Sequence, residues 1–106
     1  MGIHKEPDRK TLQLCAAAER ALSLFLSGCA DDGLMELSVE SVIPAPDSGH
    51  LLATFRRGAG GPADEEILER LARLRGAMRT EVAAAVSRRR APELIFRLLP
   101  ADAARE

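Results

Sequence analysis

The sequence predicts an α+β fold in which helices pack on one face of a three-stranded sheet. Apolar residues recur at helical spacing in two stretches, alternate in three shorter ones, and are separated by Gly and Pro. A chain of 106 residues with 46% hydrophobic content is long enough for one compact core and too short for two. We therefore expect one domain over residues 9–99, between flexible ends at 1–8 and 100–106.

The first half predicts a helix followed by two strands. Helical spacing runs from Arg9 to Ser27, and Gly28 is a natural terminator because glycine enters the left-handed conformation without a Cβ penalty. A strand is expected from Met35, where apolar and polar residues alternate. Val42 breaks that alternation, which predicts either a bulge near residues 40–41 or a strand end covered on both faces. After a proline-containing connector, a second strand is expected over residues 50–55.

The second half predicts two helices and a last strand. Helical spacing begins near Asp64, after Pro62, and continues to about residue 89. Gly76 interrupts this run, and since Gly costs about 1 kcal/mol relative to Ala inside a helix, we expect a kink or helix join there. Pro92 ends the helical stretch, and a strand follows over residues 94–99. The predicted order is α-β-β-α-α-β.

The charges are segregated along the chain. Residues 70–97 contain eight arginines and two acids, whereas the rest contains seven basic residues and fourteen acids, for a net charge of -1. This pattern predicts a basic face that binds a polyanion, because local potential and not total charge steers binding. A solvated helical face is the alternative. Aromatic residues make up only 3% of the chain, so few base-stacking platforms are available.

The predicted element order is that of the type II K-homology topology, a fold that binds RNA through backbone amides at a GxxG turn between two helices. Residues 58–61 spell Gly-Ala-Gly-Gly, but they precede the helix pair. We interpret this segment as a flexible loop, because a four-residue motif outside its structural context is weak evidence for a site.

The C-terminal half resembles the ribosome-binding factor A family. The resemblance is carried by Gly76-Ala77-Met78-Arg79-Thr80-Glu81-Val82, by Arg89 and by Pro92-Glu93-Leu94-Ile95-Phe96, with weaker similarity from Ser41 to Phe55. It covers roughly residues 11–99. The small-residue-x-Gly kink of that family reads Leu74-Arg75-Gly76 here, so the small first residue is absent.

This resemblance implies a factor in ribosome biogenesis. The cytoplasm is the expected compartment, because residues 1–10 contain no apolar stretch typical of a secretory signal. Such a factor binds the free small (30S) ribosomal subunit and assists late maturation and processing of its 16S rRNA, with particular importance in the cold. We expect a monomer, with RNA as the ligand and no small-molecule substrate. The residues that the resemblance implicates in RNA binding are Arg75, Gly76, Arg79, Arg88, Arg89 and Arg90.

Enzyme signatures are missing from the sequence. His4 and His50 are the only histidines, and neither has a Cys or carboxylate at metal-ligand spacing. We therefore expect no catalytic residue, metal or cofactor, and a hydrolase or metal enzyme is disfavoured. Glu93, next to Pro92, is expected to contact nearby backbone or an arginine. No stretch is long and apolar enough to predict a membrane segment.

A second class of function stays open from the sequence. The chain could be a protein-interaction or dimerisation module of α+β type, whose arginine face docks an acidic partner. RNA binding differs from this alternative in its salt dependence, because contacts with several phosphates weaken steeply as salt rises.

Overall fold

The computed structural model describes residues 9–45, 47, 49–86 and 90–101, without the side chains of Asp32 and Met35. The predicted flexible end at 1–8 therefore lies outside the described residues, as do residues 102–106 of the predicted tail, Arg88 and Arg89. The elements in chain order are α1 (Arg9–Gly28), α2 (Asp32–Met35), β1 (Ser38–Pro44), β2 (His50–Arg56), α3 (Asp64–Arg73), α4 (Arg75–Val86) and β3 (Glu93–Leu99). The predicted α+β order is confirmed, with the single-turn α2 in addition.

The start of the first strand differs from the prediction. Residues 32–35 form α2, and β1 begins at Ser38 instead of Met35. The Asp31 carboxylate accepts hydrogen bonds from the backbone N–H groups of Gly33 at 3.0 Å and Leu34 at 3.3 Å. Such an N-cap satisfies two donors that a helix start otherwise leaves free. The acidic segment after α1 therefore begins a short helix, which the sequence did not predict.

The three strands form one mixed sheet in the order β1-β2-β3. β1 pairs antiparallel with β2, and β2 pairs parallel with β3. Val39 lies opposite Phe55 and Ser41 lies opposite Thr54, so Glu40 is an extra residue on β1. This register shift confirms the predicted bulge, which restores Val42 to the buried face.

The core lies between one face of the sheet and the helices. From β2, Leu51, Ala53 and Phe55 are fully buried, and they form one cluster with residues of α1, α3 and α4. On the other face, Ile43 and Ile95 are 48% and 44% exposed. The predicted packing of helices on one face is therefore confirmed. Within the described residues, no helix is both long enough and apolar enough to cross a bilayer.

The join between α3 and α4 lies at Leu74, two residues before the predicted position. The Leu74 N–H donates to the carbonyls of Arg70 at 3.2 Å and Leu71 at 3.1 Å, and the Met78 N–H donates to the Leu74 carbonyl at 2.9 Å. Gly76 lies inside the first turn of α4, and a Cβ there would meet no atom within 4 Å. The join therefore forms without a structural need for glycine at position 76.

Arg57 organises the loop between β2 and α3. Its side chain is only 15% exposed and pairs with Asp64 at the start of α3. One guanidinium nitrogen, Nη2, donates to the carbonyls of Gly60 at 2.8 Å and Pro62 at 2.5 Å. Gly60 and Gly61 have φ angles of 78° and 85°, which L-residues with side chains rarely adopt. The GxxG sequence thus lies in a loop before the helix pair, as predicted. The hydrogen bonds of Arg57 hold this loop in its conformation.

Candidate nucleic-acid interface

Helix α4 places two of the predicted RNA-binding arginines side by side. Arg75 and Arg79 are separated by four residues, so they lie one turn apart on the same side of the helix. Both side chains extend toward β3 and the segment that leads into it. Gly76, which follows Arg75, is exposed, and so is Arg90, which precedes the Ala91 whose carbonyl accepts from Arg79. We call the surface formed by Arg75, Gly76, Arg79 and Arg90 the α4 arginine surface.

Arg79 makes hydrogen bonds to the backbone segment that leads into β3. Its Nε donates to the Pro92 carbonyl and its Nη2 to the Ala91 carbonyl, both at 3.1 Å. Nη2 also lies 3.3 Å from the Glu93 carboxylate, as expected from the sequence for Glu93. The side chain remains 32% exposed. Arg79 therefore has a structural role whatever it binds outside the chain.

Arg75 is held in a different way. Its guanidinium carbon Cζ lies 4.9 Å from the centroid of the Phe96 ring. Its Nε is buried and has no hydrogen-bond partner. Among the described residues, no carboxylate or other acceptor bonds to this guanidinium. The sequence placed Phe96 in the last strand but carried no signal of this contact, which depends on how α4 packs beside the sheet.

Three other described arginines of the basic segment lie outside this surface: Arg70, Arg73 and Arg97. Arg70 pairs with Asp31 at 2.7 Å and with Glu66 at 2.5 Å, and the Glu66 hydrogen bond is the main cause that raises the pKa of Arg70. Arg97 alternates with Phe96 along β3, so it lies on the sheet face away from the helices. Arg73 is exposed on α3, near Glu69. Among the described arginines of residues 70–97, Arg70, Arg73 and Arg97 therefore do not contribute to the α4 arginine surface.

The His, Cys, Asp and Glu side chains are the groups of this chain that could ligate a metal ion. Within the described part of the chain, no group of three His, Cys, Asp or Glu side chains could hold a metal ion. The Nδ1 atom of His50 lies 3.1 Å from the Asp47 carboxylate, which also accepts the Gly49 N–H at 2.9 Å. The hydrogen bond with His50 is the main cause that lowers the pKa of Asp47. This pair lies between β1 and β2, where the Asp47 carboxylate contacts both His50 and Gly49.

The fold and this surface define a class: a small α+β domain of K-homology-like topology that presents arginines on the second helix of a pair, beside its sheet. The sequence matches no known protein-family model and no curated protein. Solved structures do match. The crystal structure of ribosome-binding factor A from Thermus thermophilus is 28% identical with a TM-score of 0.69, over 81% of this chain and 92% of that one.

A second similar structure is a homology model of Thermus thermophilus ribosome-binding factor A, fitted into an electron cryo-microscopy map of its complex with the 30S subunit. It is 28% identical with a TM-score of 0.64, and the similarity covers 92% of this chain and 98% of that chain. These similarities support the assignment of the chain to the ribosome-binding factor A family.

Proposed function

We propose that this protein binds the small (30S) ribosomal subunit and assists late maturation and processing of its 16S rRNA. The observation that carries the proposal is the similarity to ribosome-binding factor A placed in a 30S complex, which extends over nearly the whole of both chains. The protein acts as a binding factor and not as a catalyst, as a cytoplasmic monomer, and its activity matters most in the cold.

The α4 arginine surface is the part of the described molecule best suited to rRNA. Guanidinium groups bind phosphate oxygens in a planar, bidentate geometry, so a few of them can match a folded RNA backbone without reading its bases. Arg75 and Arg90 supply positive charge, and Arg79 supplies the part of its guanidinium that does not bond to the chain. Gly76 is exposed and has no side chain, so it leaves room for the RNA backbone. We include Arg88 and Arg89 in the interface, although they lie outside the described residues.

Loss of the gene in its organism of origin tests the maturation role. Cells without the protein should accumulate 16S rRNA precursors and free 30S subunits at low temperature, and the wild-type gene should restore mature 16S rRNA. Northern blots for the precursor ends, together with ribosome profiles on sucrose gradients, measure both effects. Normal 16S ends in the cold, with unchanged subunit ratios, would contradict the proposal.

A further inference from the structure

Arg75 differs from the other partly buried arginines because its guanidinium donates to no acceptor among the described residues. Arg57, Arg70 and Arg79 all donate to carbonyl or carboxylate oxygens of the chain. Arg75 has a buried Nε and, within the described ranges, no acceptor at all. A buried donor without an acceptor is costly, and a charged one especially so. Because Nε itself is shielded from solvent, an external oxyanion would bind the terminal Nη groups of the same guanidinium.

Phe96 determines where that unused guanidinium lies. The Arg75 guanidinium carbon is 4.9 Å from the Phe96 ring centroid, within the range of a cation–π interaction. This contact provides no oxygen acceptor, so the terminal Nη groups keep donors for a ligand. Phe96 is itself supported by Phe55, a fully buried residue, at a centroid separation of 5.7 Å and a tilt of 59°. The core thus supports Phe96, and Phe96 supports Arg75.

We propose that Phe96 is a positioning residue of the rRNA interface, which holds the Arg75 guanidinium ready to bind a phosphodiester oxygen. This inference rests on the proposed function, since the ligand is the phosphate backbone of the rRNA. An arginine side chain that rotates freely in solvent loses much conformational freedom when it binds a phosphate. A guanidinium that is already held against an aromatic ring loses less. The aromatic ring therefore contributes to affinity without touching RNA.

The test measures the dissociation constants of purified 30S subunits for the full chain and its variants over a range of KCl concentrations at fixed Mg²⁺. Removing the guanidinium in Arg75→Ala should weaken binding about tenfold, the loss of one charge-assisted contact. It should also reduce the slope of log affinity against log salt by about one. Phe96→Leu should weaken binding about fivefold, because it keeps an apolar side chain but removes the ring.

Two further variants separate positioning from a general loss of stability. Phe25→Leu makes the same change at a partly buried core position on α1 and should leave affinity at the wild-type value. Phe96→Tyr retains a ring and should restore affinity. In the double variant of Arg75→Ala and Phe96→Leu, binding should be no weaker than in Arg75→Ala alone, because both changes remove one interaction.

Equal affinity losses in Phe96→Leu and Phe25→Leu would overturn the positioning role, and so would multiplied losses in the double variant. If Arg75→Ala weakens binding while Phe96→Leu does not, this inference fails and the proposed function stands. If the wild-type chain does not bind 30S subunits at all, both the proposed function and this inference are wrong.

Discussion

Arg79 shows how one side chain can serve both the fold and the interface. Its guanidinium donates to the carbonyls of Ala91 and Pro92 and pairs with Glu93, so it fixes the path of the chain into β3. A charge-reversal experiment at this residue would therefore disturb the fold and the binding surface together. Arg75 and Arg90 are better probes of binding.

The Arg79 contacts lead to a prediction about stability. Arg79→Ala should lower the free energy of unfolding by about 1–3 kcal/mol, because two partly buried carbonyls lose their donors. Urea unfolding followed by circular dichroism measures this loss. Arg90→Ala, a change at an exposed residue of the same surface, is the matched control and should remain near the wild-type value. Equal stability of the two variants would show that the Arg79 contacts contribute nothing.

Gly76 gives a prediction in which stability and binding change in opposite directions. A Cβ at this exposed helical position would meet no atom within 4 Å, so Gly76→Ala should raise the unfolding free energy by about 0.5–1 kcal/mol. The same methyl group should weaken 30S binding if rRNA approaches the backbone there. Thermal melts and 30S affinity measure the two effects. A more stable variant with unchanged affinity would remove Gly76 from the interface.

At the residue scale, the sequence indicated which arginines belong to the candidate interface, but not which contacts they make within the chain. The arginine-rich segment and the family resemblance pointed to Arg75 and Arg79. The internal partners of Arg79 and the ring beneath Arg75 could not be predicted, because they depend on the packing of α4 beside β3. The same is true of Arg70, whose partner Asp31 is 39 residues away in the sequence.

Helix α2 is the element that the sequence did not predict, and it packs closely against its neighbours. A Cβ at Gly33 would lie 2.9 Å from Pro62 Cγ and 3.0 Å from Arg70 Nη1. The side chain of Asp31 caps α2 and pairs with Arg70, so one carboxylate connects α2 to α3. The loop between β2 and α3, to which Arg57 donates hydrogen bonds, therefore contacts α2 through Pro62 and leads directly into α3.

This close packing predicts that Gly33→Ala is destabilising. The added methyl group should lower the unfolding free energy by about 1–3 kcal/mol, the usual cost of overpacking, since it displaces the Pro62 ring or the Arg70 side chain. Gly28→Ala is the control, because a Cβ at Gly28 meets nothing within 4 Å. Chemical denaturation of both variants provides the comparison. If both are as stable as the wild type, α2 packs less tightly than these distances indicate.

The elements that the sequence predicted well are those with a regular apolar pattern. The break in alternation at Val42 correctly indicated the bulge at Glu40, because side chains on a strand must change faces when one residue is added. The helix join was predicted two residues too late in the chain, because the low helix propensity of glycine was the only local signal. The turn at Leu74 depends on tertiary packing, which a propensity argument does not include.

At the scale of the whole molecule, the net charge of -1 conceals an uneven surface. Acids at α2 and α3 neutralise Arg70, whereas Arg75 has no carboxylate partner among the described residues. The field near α4 is therefore more positive than the composition suggests, and electrostatic attraction to rRNA depends on that local field. Salt should weaken the interaction steeply, because each neutralised phosphate releases counterions.

The most direct test of 30S binding through the α4 arginine surface compares two charge-reversal variants of equal net charge in a cosedimentation experiment. One carries Arg75→Glu and Arg90→Glu on that surface, and the other carries Arg73→Glu and Arg97→Glu outside it. We expect the wild type and the second variant to sediment with free 30S subunits, while the first variant stays at the top of the gradient. A wild-type chain that stays at the top, or equal binding by both variants, would contradict this mode of binding.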